Sequence, residues 1–140
     1  MIARGALALL VVAMAAGQLG DTGGFADILR SYAVFGAAAG TLAAAIPIVE
    51  LVAAAGLLAG RRFGGSLGIA VAVFWSALGA QAFVRGLTVE NCGCFGVYLG
   101  QELRWWTLLQ DVYVLLLAWY AAVASGLGLP LPRLRATTTP

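Results

Sequence analysis

The chain has 140 residues, of which 62% are hydrophobic and 10% charged, and its net charge of +2 comes from eight Arg and six acidic residues. Soluble domains carry about 25% charged residues and disordered chains need low hydrophobicity, so this composition excludes both classes and indicates an integral membrane protein. The charge is too weak and dispersed for nucleic-acid binding, and the absence of His excludes imidazole bases and metal ligands.

Four apolar stretches approach the roughly 20 residues that a helix needs to cross a bilayer. We predict helices at about 5–20, 31–60, 63–85 and 105–128. No strand-like alternation is present, so the predicted fold class is all-α, a polytopic membrane four-helix bundle in contact with the lipid bilayer. Residues 1–128 are predicted to form one domain, and the Pro- and Thr-rich residues 129–140 a disordered cytoplasmic tail.

The first stretch has an alternative interpretation. Arg4, the apolar run that follows it and the small residues around Met14 are also typical of a signal peptide. Four spanning helices are the simpler prediction, and cleavage would leave the orientation of the other three helices unchanged.

The distribution of Arg predicts the orientation, because short cytoplasmic loops are enriched in Lys and Arg. With both termini cytoplasmic, the loop at residues 86–104 lies outside the cell membrane, where thiols meet oxidising conditions. The cytoplasmic side then holds Arg4, Arg61, Arg62, Arg133 and Arg135, and the other side Arg30, Arg85 and Arg104.

That loop contains two Cys residues, Cys92 and Cys94, separated by one Gly. A disulfide between them needs a turn, because fully extended residues two apart lie at the limit of the usual Cα separation. Gly93 can adopt the positive φ of such a turn. A ring this short is expected to be strained, and strained, exposed disulfides are the reducible, catalytic kind. We therefore predict that Cys92 and Cys94 are a redox-active, catalytic pair.

The pair has two other interpretations, a static structural disulfide and a site for a soft metal ion. A permanent structural disulfide that closes so short a loop would reduce the entropy of the unfolded chain only slightly, so it would add little stability. A site for a soft metal ion has only Glu90 or Asn91 nearby to complete a set of four ligands, so no metal site is predicted.

Charged residues inside a bilayer are candidate functional residues because they are costly to bury. Glu50 follows the helix-kinking Pro47 by three residues, and it either lines a polar cavity or is protonated and hydrogen-bonded to a neighbouring helix. Arg85 and Asp111 lie near the ends of adjacent helices, where we expect an ion pair beneath the dithiol. Arg85 would favour the reactive thiolate there, or the pair would only brace the helix ends.

Gln81 and Gln110 would extend this polar patch. Several aromatic side chains are candidates for the walls of a site for a flat, lipid-soluble ligand, with ordinary helix packing as the alternative. These are Phe74, Trp75, Phe83 and Tyr113.

Cys92-Gly93-Cys94-Phe95-Gly96, followed by a helix with Asp111 and preceded by Pro47-Ile48-Val49-Glu50, resembles the MauE/DoxX-like membrane proteins, in particular the MauE-type methylamine-utilisation branch. The resemblance covers about residues 5–128. It implies a four-helix bundle with a thiol-redox role at the outer membrane face. MauE-type proteins are associated with maturation of the disulfide-rich small subunit of methylamine dehydrogenase, and DoxX-like relatives with sulfur redox chemistry and with quinones.

The expected activity is that of a thiol–disulfide oxidoreductase, exchanging disulfides with an extracytoplasmic thiol/disulfide protein. A quinone near Arg85, Gln81 and Asp111 is the expected electron acceptor. A soft-metal transport module and a non-catalytic membrane subunit of a redox complex are the alternatives, and homo-oligomerisation is left open.

Overall fold

Five α-helices are present in the computed structural model, which describes residues 2–124 and 126. They are α1 (Ile2–Gly20), α2 (Thr22–Ser31), α3 (Ala39–Leu58), α4 (Arg62–Val84) and α5 (Trp105–Ala124). A 3₁₀ turn at Gly36–Ala38 extends α3, and with it α1, α3, α4 and α5 are long and apolar enough to cross a membrane. The described part of the chain contains no strand. The predicted all-α class is confirmed, and the chain is a multi-pass membrane protein.

The second predicted helix differs from the observed one. A continuous helix was predicted over 31–60, but α3 begins only at Ala39 and a separate short helix, α2, precedes it. The Asp21 side chain caps α2 by accepting a hydrogen bond from the backbone N–H of Gly24 at 2.8 Å. The chain then passes through positive φ at Ala33 and Gly36, which interrupts the helix. The predicted tail at 129–140 lies outside the described residues.

The four long helices form a ring in which α1 and α4 each pack against both α3 and α5. Small residues allow close approach: a Cβ atom added to Gly64 would lie 2.2 Å from the carbonyl carbon of Gly56. Large apolar side chains on the outer faces, such as Leu9 and Leu116, are exposed, as lipid-facing residues are. The bundle therefore buries small residues inside and presents large apolar ones to the bilayer.

One end of the bundle is covered by α2 and by residues 85–104 between α4 and α5, which we call the cysteine loop. Phe25 and Leu29 of α2 and Tyr32 just after it are fully buried there against Trp75 and Leu78 of α4. A second apolar cluster fills the opposite end, around Leu7, Val11 and Leu57. The cysteine loop therefore lies on the well-packed apolar cluster formed by α2 and α4.

Candidate functional site

The cysteine loop is seated on α1 through backbone-to-backbone contact. A Cβ atom on Gly17 of α1 would lie 2.2 Å from the carbonyl oxygen of Phe95, and one on Gly96 would lie 2.1 Å from the carbonyl oxygen of Gly17. Gly96 also has a φ of +68°, in the left-handed region that favours glycine. Two glycines, one in the helix and one in the loop, therefore bring the loop down onto the bundle.

The turn between the two cysteines is held by Asn91. Its Oδ1 accepts a hydrogen bond from the Gly93 N–H at 2.9 Å, and its Nδ2 donates to the carbonyl oxygen of Gly96 at 3.0 Å. Gly93 has a φ of +78°, and a Cβ atom there would lie 2.7 Å from Cγ2 of Ile28 on α2. Only glycine meets both the conformational and the steric requirement at this position.

Both cysteine carbonyls are held by buried side chains from the bundle. The Tyr32 hydroxyl donates to the carbonyl oxygen of Cys92 at 2.8 Å, and Gln18 Nε2 of α1 donates to that of Cys94 at 3.0 Å. Gln81 Nε2 in turn donates to the carbonyl oxygen of Tyr32 at 3.3 Å. These bonds fix the backbone on each side of Gly93, so the two sulfur atoms are presented in a defined geometry.

The two cysteines are free thiols in unequal environments. Cys92 is 4% exposed, whereas Cys94 is half-buried. A hydrogen bond from the Cys94 thiol stabilises the Cys92 thiolate and lowers the pKa of Cys92 to about 7, although burial acts in the opposite direction. Because Cys94 donates this hydrogen bond and is itself desolvated, its pKa is raised well above the ordinary value. The arrangement favours one thiolate, on Cys92, beside one thiol.

Glu50 lies at the centre of a buried polar network that reaches the cysteine loop. Its Oε1 accepts hydrogen bonds from Trp75 Nε1 at 2.9 Å and from Gln18 Nε2 at 3.3 Å. Since Gln18 Nε2 also donates to the carbonyl of Cys94, it links Glu50 to the dithiol. The sequence predicted either a polar cavity or hydrogen bonds to a neighbouring helix at Glu50, and the structure shows the hydrogen bonds.

Asp111 shares a cavity with Cys94 inside the bundle. The cavity has a volume of about 40 Å³ and lies between α1, α4 and α5, with Met14, Trp75 and Gln110 among its other lining residues. Gly79 leaves room for the carboxylate, because a Cβ atom there would lie 3.0 Å from Asp111 Oδ2. A cavity of this size holds about two or three water molecules, so Asp111 and Cys94 border a space that can be hydrated.

Arg85 does not have the role expected of it. Its Nη1 donates to Gln81 Oε1 at 3.0 Å, and the ion pairs among the described residues do not include Arg85 with Asp111. Arg85 is exposed at the end of α4. The neighbouring thiol, rather than a guanidinium, is therefore the group that stabilises the thiolate of Cys92.

The sequence placed Cys92, Gly93, Cys94 and Asp111 at this end of the bundle. It marked Glu50 only as a buried charge in the second helix, and it did not identify the residues that hold the loop. Gln18 is the only polar side chain in the apolar run at 5–20, a signal that could have identified it. Tyr32 had no such signal, because its partner is 60 residues away. Within the described range, no cluster of three or more acidic, His or Cys side chains is suited to hold a metal ion.

We expect Asn91→Ala to lower the free energy of unfolding by about 2 kcal/mol, since two hydrogen bonds worth about 1 kcal/mol each are lost. Denaturation by SDS in mixed micelles measures the effect. Asn91→Asp is the matched control, because it keeps the acceptor for the Gly93 N–H and loses only the donor, and about half the effect is expected. An Asn91→Ala protein as stable as the parent would contradict a role for Asn91 in holding the turn.

Comparison with known proteins gives two matches. The sequence profile of the family described as "Methylamine utilisation protein MauE" matches residues 1–124. The "Methylamine utilization protein MauE" of Paracoccus denitrificans is 33% identical over 130 residues, which cover 90% of this chain and 68% of that protein. No solved structure matches the chain.

Proposed function

This chain belongs to the MauE family, and we propose that it is a membrane thiol–disulfide redox protein that acts through Cys92 and Cys94. The observation that carries the proposal is the pair of free thiols on either side of Gly93, with both cysteine carbonyls held by the buried side chains of Tyr32 and Gln18. The neighbouring Cys94 thiol lowers the pKa of Cys92 to about 7. The thiolate is the nucleophile of disulfide exchange, and a thiol with a pKa near the ambient pH attacks most efficiently. Like the relative whose name gives methylamine utilisation, it would serve that process. The cysteine pair would act there in the maturation of a disulfide-containing protein.

The exchange proceeds in two balanced steps. The Cys92 thiolate attacks a disulfide of an extracytoplasmic partner, forming a mixed disulfide and releasing one partner thiolate. Cys94 then loses its proton and attacks the Cys92 sulfur, which forms the Cys92–Cys94 disulfide and releases the second partner thiolate. In this direction the partner gains two electrons and the pair loses two. The reverse sequence oxidises the partner and returns the pair to the dithiol, and it is the direction that an oxidant in the membrane sustains, because that oxidant re-forms the Cys92–Cys94 disulfide. Because Cys92 is only 4% exposed, the loop must move for a protein to reach it.

A lipid-soluble quinone is the proposed exchange partner for electrons within the membrane. A quinone would accept the two electrons of the pair as the disulfide forms, together with one proton from the Cys94 thiol and one from solvent, and would leave as the quinol. Asp111 is suited to take up the Cys94 proton, because both groups border the same cavity. The excess of Arg on the other side of the bilayer supports an extracytoplasmic position for the cysteine loop.

Alkylation with a membrane-impermeant maleimide in intact cells tests the proposal, using the parent chain and the Cys92→Ser and Cys94→Ser variants. We expect labelling of the parent only after mild reduction, which would show a reversible disulfide on the outer side. Free thiols that label without reduction, and that added Zn²⁺ protects, would overturn the redox proposal in favour of metal handling. If no cysteine were labelled after reduction, in the parent or in either single-Cys variant, the proposed orientation would be contradicted.

The double variant Cys92→Ser/Cys94→Ser separates redox function from a structural role in a complex. We expect it to insert at parental abundance, since neither side chain lies in a spanning helix, and to lose all disulfide exchange. Growth on methylamine would report the loss in a host that depends on this chain. Full growth of the double variant would show that the chain acts as a non-catalytic subunit.

A further inference from the structure

The end of the bundle opposite the cysteine loop carries three arginines from two separate parts of the chain. Arg4 lies in the first turn of α1, and Arg61 and Arg62 lie where the chain turns from α3 into α4. The two parts meet at Gly60, because a Cβ atom added there would lie 3.1 Å from Nη1 of Arg4. Three positive charges are therefore gathered at this end of the bundle, which we call the arginine end.

The guanidinium groups of the arginine end have no protein partner. Within the described residues, none of these three side chains takes part in a hydrogen bond or an ion pair. The described arginines at the opposite end each have a partner on the protein: Arg30 has Asp27, Arg85 has Gln81 and Arg104 has Glu102. The two ends therefore differ in what their arginines contact, although each has three of them in the described part of the chain.

The acidic residues of the chain also lie away from the arginine end. Five of the six lie in α2 and its cap, in the cysteine loop or near the start of α5, and Glu50 is buried in the network that reaches that loop. No acidic residue follows Asp111 in the sequence, so residues 125–140 supply none. A guanidinium group keeps its charge and only donates hydrogen bonds. The arginine end is therefore suited to bind an anion supplied from outside the chain.

Apolar side chains beside the arginines indicate that this anion belongs to a lipid. Leu58 comes shortly before Arg61, Phe63 directly follows Arg62, and both apolar side chains are exposed. Phe63 reaches across to α3, since a Cβ atom on Gly56 would lie 2.6 Å from Cε2 of Phe63. The acyl chains of a lipid cover such a surface while the headgroup stays at the level of the arginines, whereas a free phosphate ion leaves the surface bare.

We infer that the arginine end binds the headgroup of an anionic phospholipid, whose phosphate accepts hydrogen bonds from the three guanidinium groups. The planar guanidinium matches the geometry of phosphate oxygens and can donate two parallel hydrogen bonds to them. Charges at one end also orient a bundle during insertion, but orientation requires only their number and not a partner-free cluster that joins α1 to the turn between α3 and α4. The site goes beyond the proposed function, and it depends neither on the cysteines nor on which side of the membrane the arginine end faces.

Native mass spectrometry of the full chain in a mild detergent tests the site, with phosphatidylglycerol as the anionic lipid and phosphatidylcholine with the same acyl chains as the zwitterionic one. We expect saturable binding of phosphatidylglycerol that is about tenfold or more tighter than that of phosphatidylcholine. Inorganic phosphate in about a hundredfold excess is expected to leave the bound lipid in place. Displacement by phosphate would show a site for a free anion and overturn the lipid assignment, and equal binding of the two lipids would overturn the recognition of a negative headgroup.

The two ends of the bundle provide matched triple variants. Replacing Arg4, Arg61 and Arg62 by Gln is expected to lower the affinity for phosphatidylglycerol about fivefold for each arginine, or about a hundredfold in total. Replacing the three described arginines of the opposite end by Gln changes the net charge by the same amount and is expected to change the affinity less than about twofold. Equal losses in the two variants would show that the lipid responds only to net charge and would overturn the site.

Replacing the same three arginines of the arginine end by Lys separates loss of recognition from loss of fold. The lysine variant keeps the charges, so it is expected to prefer phosphatidylglycerol as the parent does, with an affinity about threefold lower because an ammonium group cannot donate two parallel hydrogen bonds. Circular dichroism is expected to show parental helix content in both the lysine and the glutamine variants. A lysine variant that binds as weakly as the glutamine variant would show that the charges of this end do not recognise the headgroup.

Discussion

Replacing Cys94 with Ala is expected to raise the pKa of Cys92 from about 7 to about 8.5 or higher, because the hydrogen bond that stabilises the thiolate is lost while burial remains. The thiolate is the form that reacts, so a raised pKa moves the increase in alkylation rate to higher pH. At pH 7 the thiolate fraction falls from about one half to about 3%, which is about fifteenfold slower labelling. The pH profile of iodoacetamide modification measures the shift.

Cys94→Ser is the control, because its hydroxyl keeps a hydrogen-bond donor in place. The pH midpoint of Cys92 labelling is expected to stay within about half a unit of that in the reduced parent. Cys92→Ser reports on the other thiol, and Cys94 is then expected to react only at higher pH because it remains desolvated. Identical pH profiles in the Ala and Ser variants of Cys94 would show that the two thiols do not interact.

Gly96→Ala is expected to destabilise the seated cysteine loop by about 3 kcal/mol. The new Cβ atom would lie 2.1 Å from the carbonyl oxygen of Gly17, and the φ of +68° is strained for any residue with a side chain. Neither backbone can yield cheaply, so the loop is expected to leave its seat on α1. The rate of modification of Cys92 by a small reagent should then increase, since its burial depends on this seat.

Gly100→Ala provides the comparison within the same loop. A Cβ atom at Gly100 would make only ordinary contact, 3.7 Å from Asn91 Nδ2, and Gly100 is not among the glycines with positive φ. A change in stability within about 0.5 kcal/mol is expected. If Gly96→Ala and Gly100→Ala were equally stable and labelled equally fast, the close contact between Gly17 and the loop would not be a determinant of the site.

The fold class could be predicted from the sequence because crossing a bilayer imposes a strong and simple requirement on composition. The apolar runs that contain α1, α4 and α5 were recognisable for this reason. The break before α3 was not, because it depends on local backbone conformation: α2 is capped by Asp21, and the chain turns through positive φ at Ala33. An alanine gives no sequence signal for such a conformation.

The sequence identified the two cysteines of the candidate site but not the residues that hold them in place. Cys92 and Cys94 are rare residue types at a distinctive spacing, so they could be found without a structure. Gln18 contacts the carbonyl of a residue 76 positions away, and Tyr32 that of a residue 60 positions away. A single sequence does not indicate which residues come into contact over such separations. The expected partnership of Arg85 with Asp111 was wrong because neighbouring helix ends do not fix the direction of a long, flexible side chain, and Arg85 turns to Gln81 on its own helix.

The same separations imply an order in which the molecule is built during synthesis. The contact between Gln18 and Glu50 spans 32 residues and requires only α1 and α3, whereas the contact between Gln18 and the Cys94 carbonyl must wait until α4 and the loop have emerged. Between the emergence of the loop and its packing on α1 and α2, both cysteines are exposed to oxidants. Packing of the loop on α1 and α2 ends this exposure of the Cys92 thiol, because it leaves Cys92 with 4% of its surface exposed. The order in which the chain folds therefore determines when Cys92 becomes protected from general oxidants.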